Sequence, residues 1–241
     1  MNTDHALLWD FDGTLAERPG MWSGALLQIL DAEMPGHAYT RPQIAAVLRD
    51  GFPWHEPDLA HPQLSEPDAW WRHMAGRLTA AAIRLGLPPE PAASAALLMR
   101  SVYTDPAGWR LFDDTLPALR LLSEAGWRHA VVSNHVPELP RIIDALGIGS
   151  FFEVVANSAA SGYEKPHPLA FRAALSALSD PRRVWMIGDN PVADVAGAAA
   201  LGIDAILVRT AGPAPEAAPT GAYHAADLSA LFDIVGSATD R

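Results

Sequence analysis

From about residue 127 onward, short continuous apolar runs alternate with stretches whose apolar positions recur every three or four residues. The runs His129–Asn134, Phe152–Ala156, Val184–Asp189 and Asp204–Val208 read as strands. Near-continuous apolarity is what a parallel strand covered on both faces requires. Between them, Pro137 marks a helix running through Arg141–Leu146 to Gly147, and Pro168 opens another with Leu169, Phe171, Ala174, Leu175 and Leu178 at roughly helical spacing. Pro191 starts a small-residue helix that reaches Leu201 and stops at Gly202, using proline at the first turn and glycine past the last. The amino-terminal run Ala6–Trp9 supplies a fifth strand. Strands alternating with amphipathic helices predict an α/β fold, a Rossmann-like parallel five-stranded core sheet flanked by helices.

Between about residues 17 and 108 the strand pattern stops and proline-broken helical periods replace it. Trp71, Met74, Leu78, Ala82 and Leu85 recur at three or four residues, with Arg72, Arg77 and Arg84 largely on other faces. The expected division is a core of residues 1–16 and 109–241 with an inserted α-helical domain over 17–108. Within the insertion, Gly51–Pro57 continuing through His61–Pro62 is a stiff loop carrying Trp54 and His55. Such a loop serves equally as a binding element or as a plain surface connection. Residues 210–219 are rich in proline and alanine and predict an irregular loop, followed by a short helix near Asp227–Val235.

Composition narrows the chemistry. The 241 residues are 49% hydrophobic, enough for a sizeable core, and contain no cysteine. Disulfides, thiolate metal sites and a cysteine nucleophile are therefore excluded, and any metal must be held by oxygen or imidazole. No basic leader precedes a long apolar run, and no stretch approaches about 18 uninterrupted apolar residues, so a cytoplasmic protein without membrane contact is expected. A formal net charge of -11 argues against broad nucleic-acid binding and for a small-molecule partner.

Four strand ends carry polar groups: Asp10 and Asp12, Ser133 and Asn134, the segment with Lys165, and Asp189 with Asp194. Asp10 and Asp12, two apart on an extended chain, point the same way, and Gly13 permits a sharp turn after them. Alone, this pair also reads as an acidic turn capping a helix. A parallel sheet would bring all four segments to one edge, where open α/β sheets bind ligands. Magnesium prefers oxygen ligands and commonly joins a few carboxylates to a substrate phosphate, a role that suits Asp10 and Asp189. A phosphoryl group under attack also needs an ammonium and hydrogen-bond donors, which Lys165, Ser133 and backbone amides could supply.

The segments Asp10–Leu15, Val132–Asn134, Glu164–Pro168 and Gly188–Asp194, in that order, resemble the haloacid dehalogenase superfamily, in its branch with a helical cap inserted after the first motif. The resemblance spans roughly residues 4 to 20 and 106 to 212. It implies a magnesium-dependent phosphatase acting on a small phosphorylated metabolite. Asp10 would be the nucleophile, forming an aspartyl-phosphate, and a metal ligand. Asp12 would be general acid and base, with its backbone carbonyl on the metal. Ser133 and the amide of Asn134 would hold phosphoryl oxygens, Lys165 would offset charge, and Asp189 would complete the protein's metal contacts. Asp194 would support a metal water or Lys165, although an acid favoured by a helix first turn explains it equally simply. His167 stands where many relatives carry an acid, and a packing or loop role is expected for it. Trp54 and His55 are candidates to approach the leaving group when the cap closes. A phosphosugar mutase and a catalytically idle binding relative are the alternatives. A dehalogenase fits less well, because those relatives lack an acid at the position of Asp12. The motifs name neither the ester nor an oligomeric state.

Overall fold

The computed structural model describes residues 4–209 and 222–237, so the proline- and alanine-rich stretch 210–219 lies outside the described residues. Strand β1 (His5–Trp9) leads through Asp10–Leu15 into the short β2 (Ala16–Glu17). Four helices follow: α1 (Met21–Glu33), α2 (Arg41–Val47), α3 (Pro67–Leu85) and α4 (Pro89–Tyr103). The predicted stripe on α3 is real: Trp71, Met74, Leu78 and Ala82 are buried, while Arg72, Arg77 and Arg84 are exposed. The chain returns through β3 (Arg110–Leu111), which pairs antiparallel with β2, Ala16 opposite Leu111 and Glu17 opposite Arg110. The two connections between sheet and helices are thus zipped into one ribbon.

The return half builds the sheet with α5 (Thr115–Glu124), β4 (Arg128–Ser133), α6 (Leu139–Ala145), β5 (Phe152–Asn157), α7 (Ser158–Ser161), α8 (Pro168–Ala177) and β6 (Arg183–Gly188). After a π-helical turn, Pro191–Ala196, come α9 (Gly197–Ala199), β7 (Asp204–Val208), β8 (Ala222–Ala225) and α10 (Leu231–Ser237). The sheet is parallel, with strand order β5-β4-β1-β6-β7-β8. Among the described residues it has six strands instead of the expected five. The sixth, β8, is a four-residue edge strand whose Tyr223 and His224 break the apolar run that identified the others. The expected continuous helix after Pro191 is also resolved into a π turn and one short α-helical turn. Helix α6 begins at Leu139, two residues beyond the predicted Pro137.

Alternation along each strand separates two cores. Leu7, Trp9, Val131, Ile187, Ile206 and Val208 face one side, packing with α5, α6 and α10 and continuing into the tryptophan-rich interior of the α1–α4 helices. Ala6, Leu8, Ala130, Val132, Met186 and Leu207 face the other, against Phe171 and Ala174 of α8. Leu169, expected on the buried stripe of α8, is 43% exposed. Among the described residues, no helix is long and apolar enough to cross a membrane.

One buried imidazole lies within the first core. His129 on β4 accepts a hydrogen bond at Nδ1 from Trp9 Nε1 (3.0 Å), which leaves its proton on Nε2, 3.0 Å from Ser123 Oγ. Burial lowers its pKa from 6.5 to about 4, because a second proton would have to face the Trp9 donor without solvent. The folded chain therefore refuses a proton that the unfolded chain accepts, and stability falls as pH drops through 6.5 toward 4. Between pH 7 and pH 5 His129 is expected to remove about 2 kcal/mol of unfolding free energy, an increment that should be absent from His129→Gln when urea titrations of the two proteins are compared.

Candidate active site

Three neighbouring strand ends define the site. β1 lies between β4 and β6, and the chain leaves β1 toward one side and returns to β6 on the other. Such a reversal opens a crevice beyond the carboxyl ends of the strands. Asp10, Ser133 and Asp189 occupy those ends. Asp10 N–H still bonds the Ile187 carbonyl at 2.9 Å, so the nearly buried side chain is set by the sheet itself. Gly13 then turns the chain with φ +74°, and a Cβ there would overlap the Asp189 carboxylate. Glycine is thus required both by the turn and by the close approach.

Lys165 binds this edge together. Its backbone is held on Asn134, whose Nδ2 donates to the Lys165 carbonyl (3.0 Å) while Oδ1 accepts from the Lys165 N–H (2.7 Å). The buried Nζ then lies 2.9 Å from Asp10 Oδ1 and 2.6 Å from Asp194 Oδ1. Burial disfavours the ammonium, but Asp10 and Asp194 outweigh it and hold its pKa above the usual lysine value. Asp194 is fully buried, and its other oxygen accepts from the Asn190 N–H at 3.0 Å. Burial raises its pKa to about 6, with Lys165 opposing the rise.

Asp10, Asp189 and Asp194 each offer a carboxylate oxygen, all within 4.8 Å of one another. Burial and then repulsion from Asp10 and Asp194 push the Asp189 carboxyl up to about 7. Three acids compressed around a single ammonium form a hard-oxygen donor set with surplus negative charge, which fits a divalent cation. Both oxygens of Asp194 are already engaged by Lys165 and the Asn190 N–H, whereas Asp10 and Asp189 line the cavity.

Ser133 is buried, and its hydroxyl has no hydrogen-bond partner among the described residues. Buried hydroxyls seldom remain so unless a ligand or water completes them. The half-buried Asp12 has an unexpected neighbour in His135. The two residues place Oδ1 and Nε2 3.5 Å apart, and neither atom has a hydrogen-bond partner among the described residues. His135 is walled by Phe11, Tyr103 and Trp109, and its backbone N–H is held by Ser158 Oγ at 3.1 Å. Its Nδ1 faces the Val136 carbonyl at 3.4 Å. Burial raises the pKa of Asp12 despite the opposing influence of His135.

Above these groups opens a cavity of about 380 Å³ lined by Asp10, Asp12, Asn134, Lys165 and Asp189, with Met21, Trp22, Trp54, Pro57 and Val192 among its outer walls. Trp54 therefore reaches the cavity. His55 does not: it points to the surface, where Nδ1 accepts from Phe52 N–H at 3.3 Å and closes a 3₁₀ turn. His167 likewise serves local structure, capping α8 by accepting from Leu169 N–H at 3.2 Å. The loop bearing Trp54 ends at the buried His61, whose Nε2 lies 2.9 Å from Glu164 Oε1, immediately before Lys165. Sequence reasoning singled out neither His135 nor Met21, Trp22 and Val192. A titratable residue one place after Asn134 was the available signal for His135; the others had none beyond apolarity.

A model of the haloacid dehalogenase-like hydrolase family matches residues 5–202. The chain is 33% identical over 123 residues to haloacid dehalogenase-like hydrolase domain-containing protein 3 of Homo sapiens, a match covering 49% of each, so it spans about half the length of that curated relative. It is 31% identical over 248 residues to a phosphoserine phosphatase of Thermus thermophilus, covering 94% of this chain and 97% of the relative. In fold it is similar to the L-2-haloacid dehalogenase of Xanthobacter autotrophicus, with a TM-score of 0.70 at 19% identity over 96% of this chain and 98% of that one.

The packing at Gly13 makes a direct prediction. Gly13→Ala should lower stability by about 1–3 kcal/mol in thermal unfolding, since it adds an overlap with Asp189 to the backbone strain. Gly36→Ala, at φ +86° in open space, carries only the backbone component and should cost less.

Proposed function

The chain belongs to the haloacid dehalogenase-like hydrolases, and from that premise we propose that it is a magnesium-dependent phosphatase of a small phosphorylated metabolite. The observation that carries this choice within the family is Asp12, an acid two residues beyond the proposed nucleophile, its pKa raised by burial and its side chain 3.5 Å from His135. Halide departs without a proton, whereas an alkoxide does not leave readily unless protonated. Residues 17–108 would act as the cap over a core formed by 1–16 and 109–241, with the β2/β3 ribbon as the joint between them.

Asp10, the Asp12 backbone carbonyl and Asp189 would hold magnesium, which when bound supplies positive charge to the phosphoryl oxygens and orients them. Asp10, fixed through Oδ1 by Lys165, attacks phosphorus, and the bond from phosphorus to the leaving oxygen breaks as Asp12 donates its proton there. The buried Ser133 hydroxyl and the Asn134 backbone N–H receive the phosphoryl oxygens. Asp12, now a carboxylate, takes a proton from water as the water attacks phosphorus, releasing inorganic phosphate and restoring Asp10. Asp194 acts only by holding Lys165 and the Asn190 turn. His135 touches no substrate in this scheme; it positions Asp12 and shares its proton.

Asp10→Asn should abolish magnesium-dependent phosphate release from an aryl phosphate, and residual wild-type-like release would reject the nucleophile. Asp12→Asn should reduce turnover by roughly 100-fold or more while magnesium affinity, measured by calorimetry, changes little, because the metal contact is through the backbone. His135→Gln should lower kcat by roughly tenfold with KM nearly unchanged, the signature of a group acting in the transition state. An equal loss in kcat and magnesium affinity would instead mark His135 as structural.

A further inference from the structure

The phosphate end of the cavity is crowded with charge, but its outer walls are not. Met21, Trp22, Trp54 and Pro57 form one wall, and Val192, Ala193 and Pro166 stand on the side of the sheet. Among the described residues, Lys165 is the only cationic side chain in the lining, and it is already shared by two carboxylates. The other polar side chain of the outer rim among the described residues, Asn190, accepts through Oδ1 from the Val192 and Ala193 N–H groups, both at 2.9 Å. A substrate bearing a second anionic group would meet no cationic side chain of the described residues there, only this neutral amide, and its desolvation would be poorly offset.

The aromatic wall is rigidly backed. Trp22 stacks on Tyr103 with ring centroids 4.0 Å apart and planes at 17°, and Trp54 stacks on Phe52 at 4.7 Å and 16°. The two indoles meet at 6.0 Å and 41°, forming a shallow corner over the cavity. Met21, which precedes Trp22, holds a left-handed backbone with φ 47°, an unfavourable conformation for a side chain of this size. Strain of this kind persists only when the surrounding structure over-determines it, and it gathers at ligand sites. Opposite, Val192 is 61% exposed, an apolar side chain left uncovered at the rim.

Granted the phosphatase chemistry proposed above, on which this rests, we infer that the leaving group of the substrate is an uncharged alcohol with a flat apolar face, an aromatic or heteroaromatic methanol, seated between the Trp22–Trp54 corner and Val192. Esters carrying a carboxylate or a second phosphate next to the phosphoester are disfavoured by the same walls. The specificity of the site is set by what its outer half lacks as much as by what it presents.

Benzyl phosphate, glycerol 3-phosphate and phosphoglycolate all release an alkyl oxygen, so their comparison reads the outer walls more than leaving-group acidity. With magnesium present, kcat/KM for benzyl phosphate should exceed that for glycerol 3-phosphate by about tenfold and that for phosphoglycolate by about 100-fold. Trp54→Ala should lower kcat/KM for benzyl phosphate relative to that for ethyl phosphate by about tenfold. Val192→Lys, at an exposed position, should raise phosphoglycolate relative to benzyl phosphate by about tenfold. Equal or better use of phosphoglycolate by the parent, with Trp54→Ala indifferent, overturns the inference. Calorimetric binding of benzylphosphonate against phosphonoacetate separates it from the phosphatase reading. A protein that hydrolyses none of the esters but prefers benzylphosphonate, and loses the preference in Trp54→Ala, retains the subsite and loses the activity. Equal binding of the two phosphonates overturns the subsite whether or not hydrolysis occurs.

Discussion

A single buried ammonium makes the site possible. Lys165 lies between Asp10 and Asp194 at 2.9 and 2.6 Å, and without it three acids at the ends of β1 and beyond β6 would repel one another in a poorly solvated crevice. Removing one partner from such a cluster leaves an uncompensated buried charge, a change that typically costs several kcal/mol. The surrounding structure is arranged to deliver this one group. Asn134 clamps its backbone from the end of β4, and Asp194 is turned toward it by the π turn that follows β6. Burial, and after it repulsion from Asp10 and Asp194, raises the pKa of Asp189 to about 7, and three acids around one ammonium suit the crevice to a cation.

Most of this arrangement is legible in the chain. The central strands are buried on both faces and so announce themselves as apolar runs, and the groups that meet at the sheet edge lie at or just beyond the ends of those runs. The edge strand β8 escapes notice for the converse reason: an edge needs less apolar cover, and Ala222–Ala225 carries Tyr223 and His224 in a run too short to show a period. His135 was hidden differently. Its tie to Asp12 joins residues more than a hundred positions apart, and no local spacing encodes it. Trp54 and His55 show the limit on loops, where adjacent residues with similar chemical promise diverge, one lining the cavity and the other closing a turn at the surface.

The helical insertion is more than a cover. Its aromatic interior is continuous with the core on one face of the sheet, running from Trp22 and Tyr103 through Trp109 and Phe11 to the start of the turn after β1. The same packing that stabilises the helices therefore holds the wall of the cavity and the enclosure of His135. Substitutions in this cluster would be felt at Asp12 without touching it.

Glu164 and Lys165 are consecutive, yet they face different tasks. Glu164 is bonded to His61 at the end of the loop that carries Trp54, and Pro62 rests on Gly162, where no side chain could fit. The rim of the cavity and its ammonium are thereby attached to one short stretch of backbone. Lifting that loop to admit or discharge a ligand would rupture a buried contact one peptide unit from Lys165. Any movement of this loop would therefore be transmitted through one contact to the lysine that sits beside Asp10.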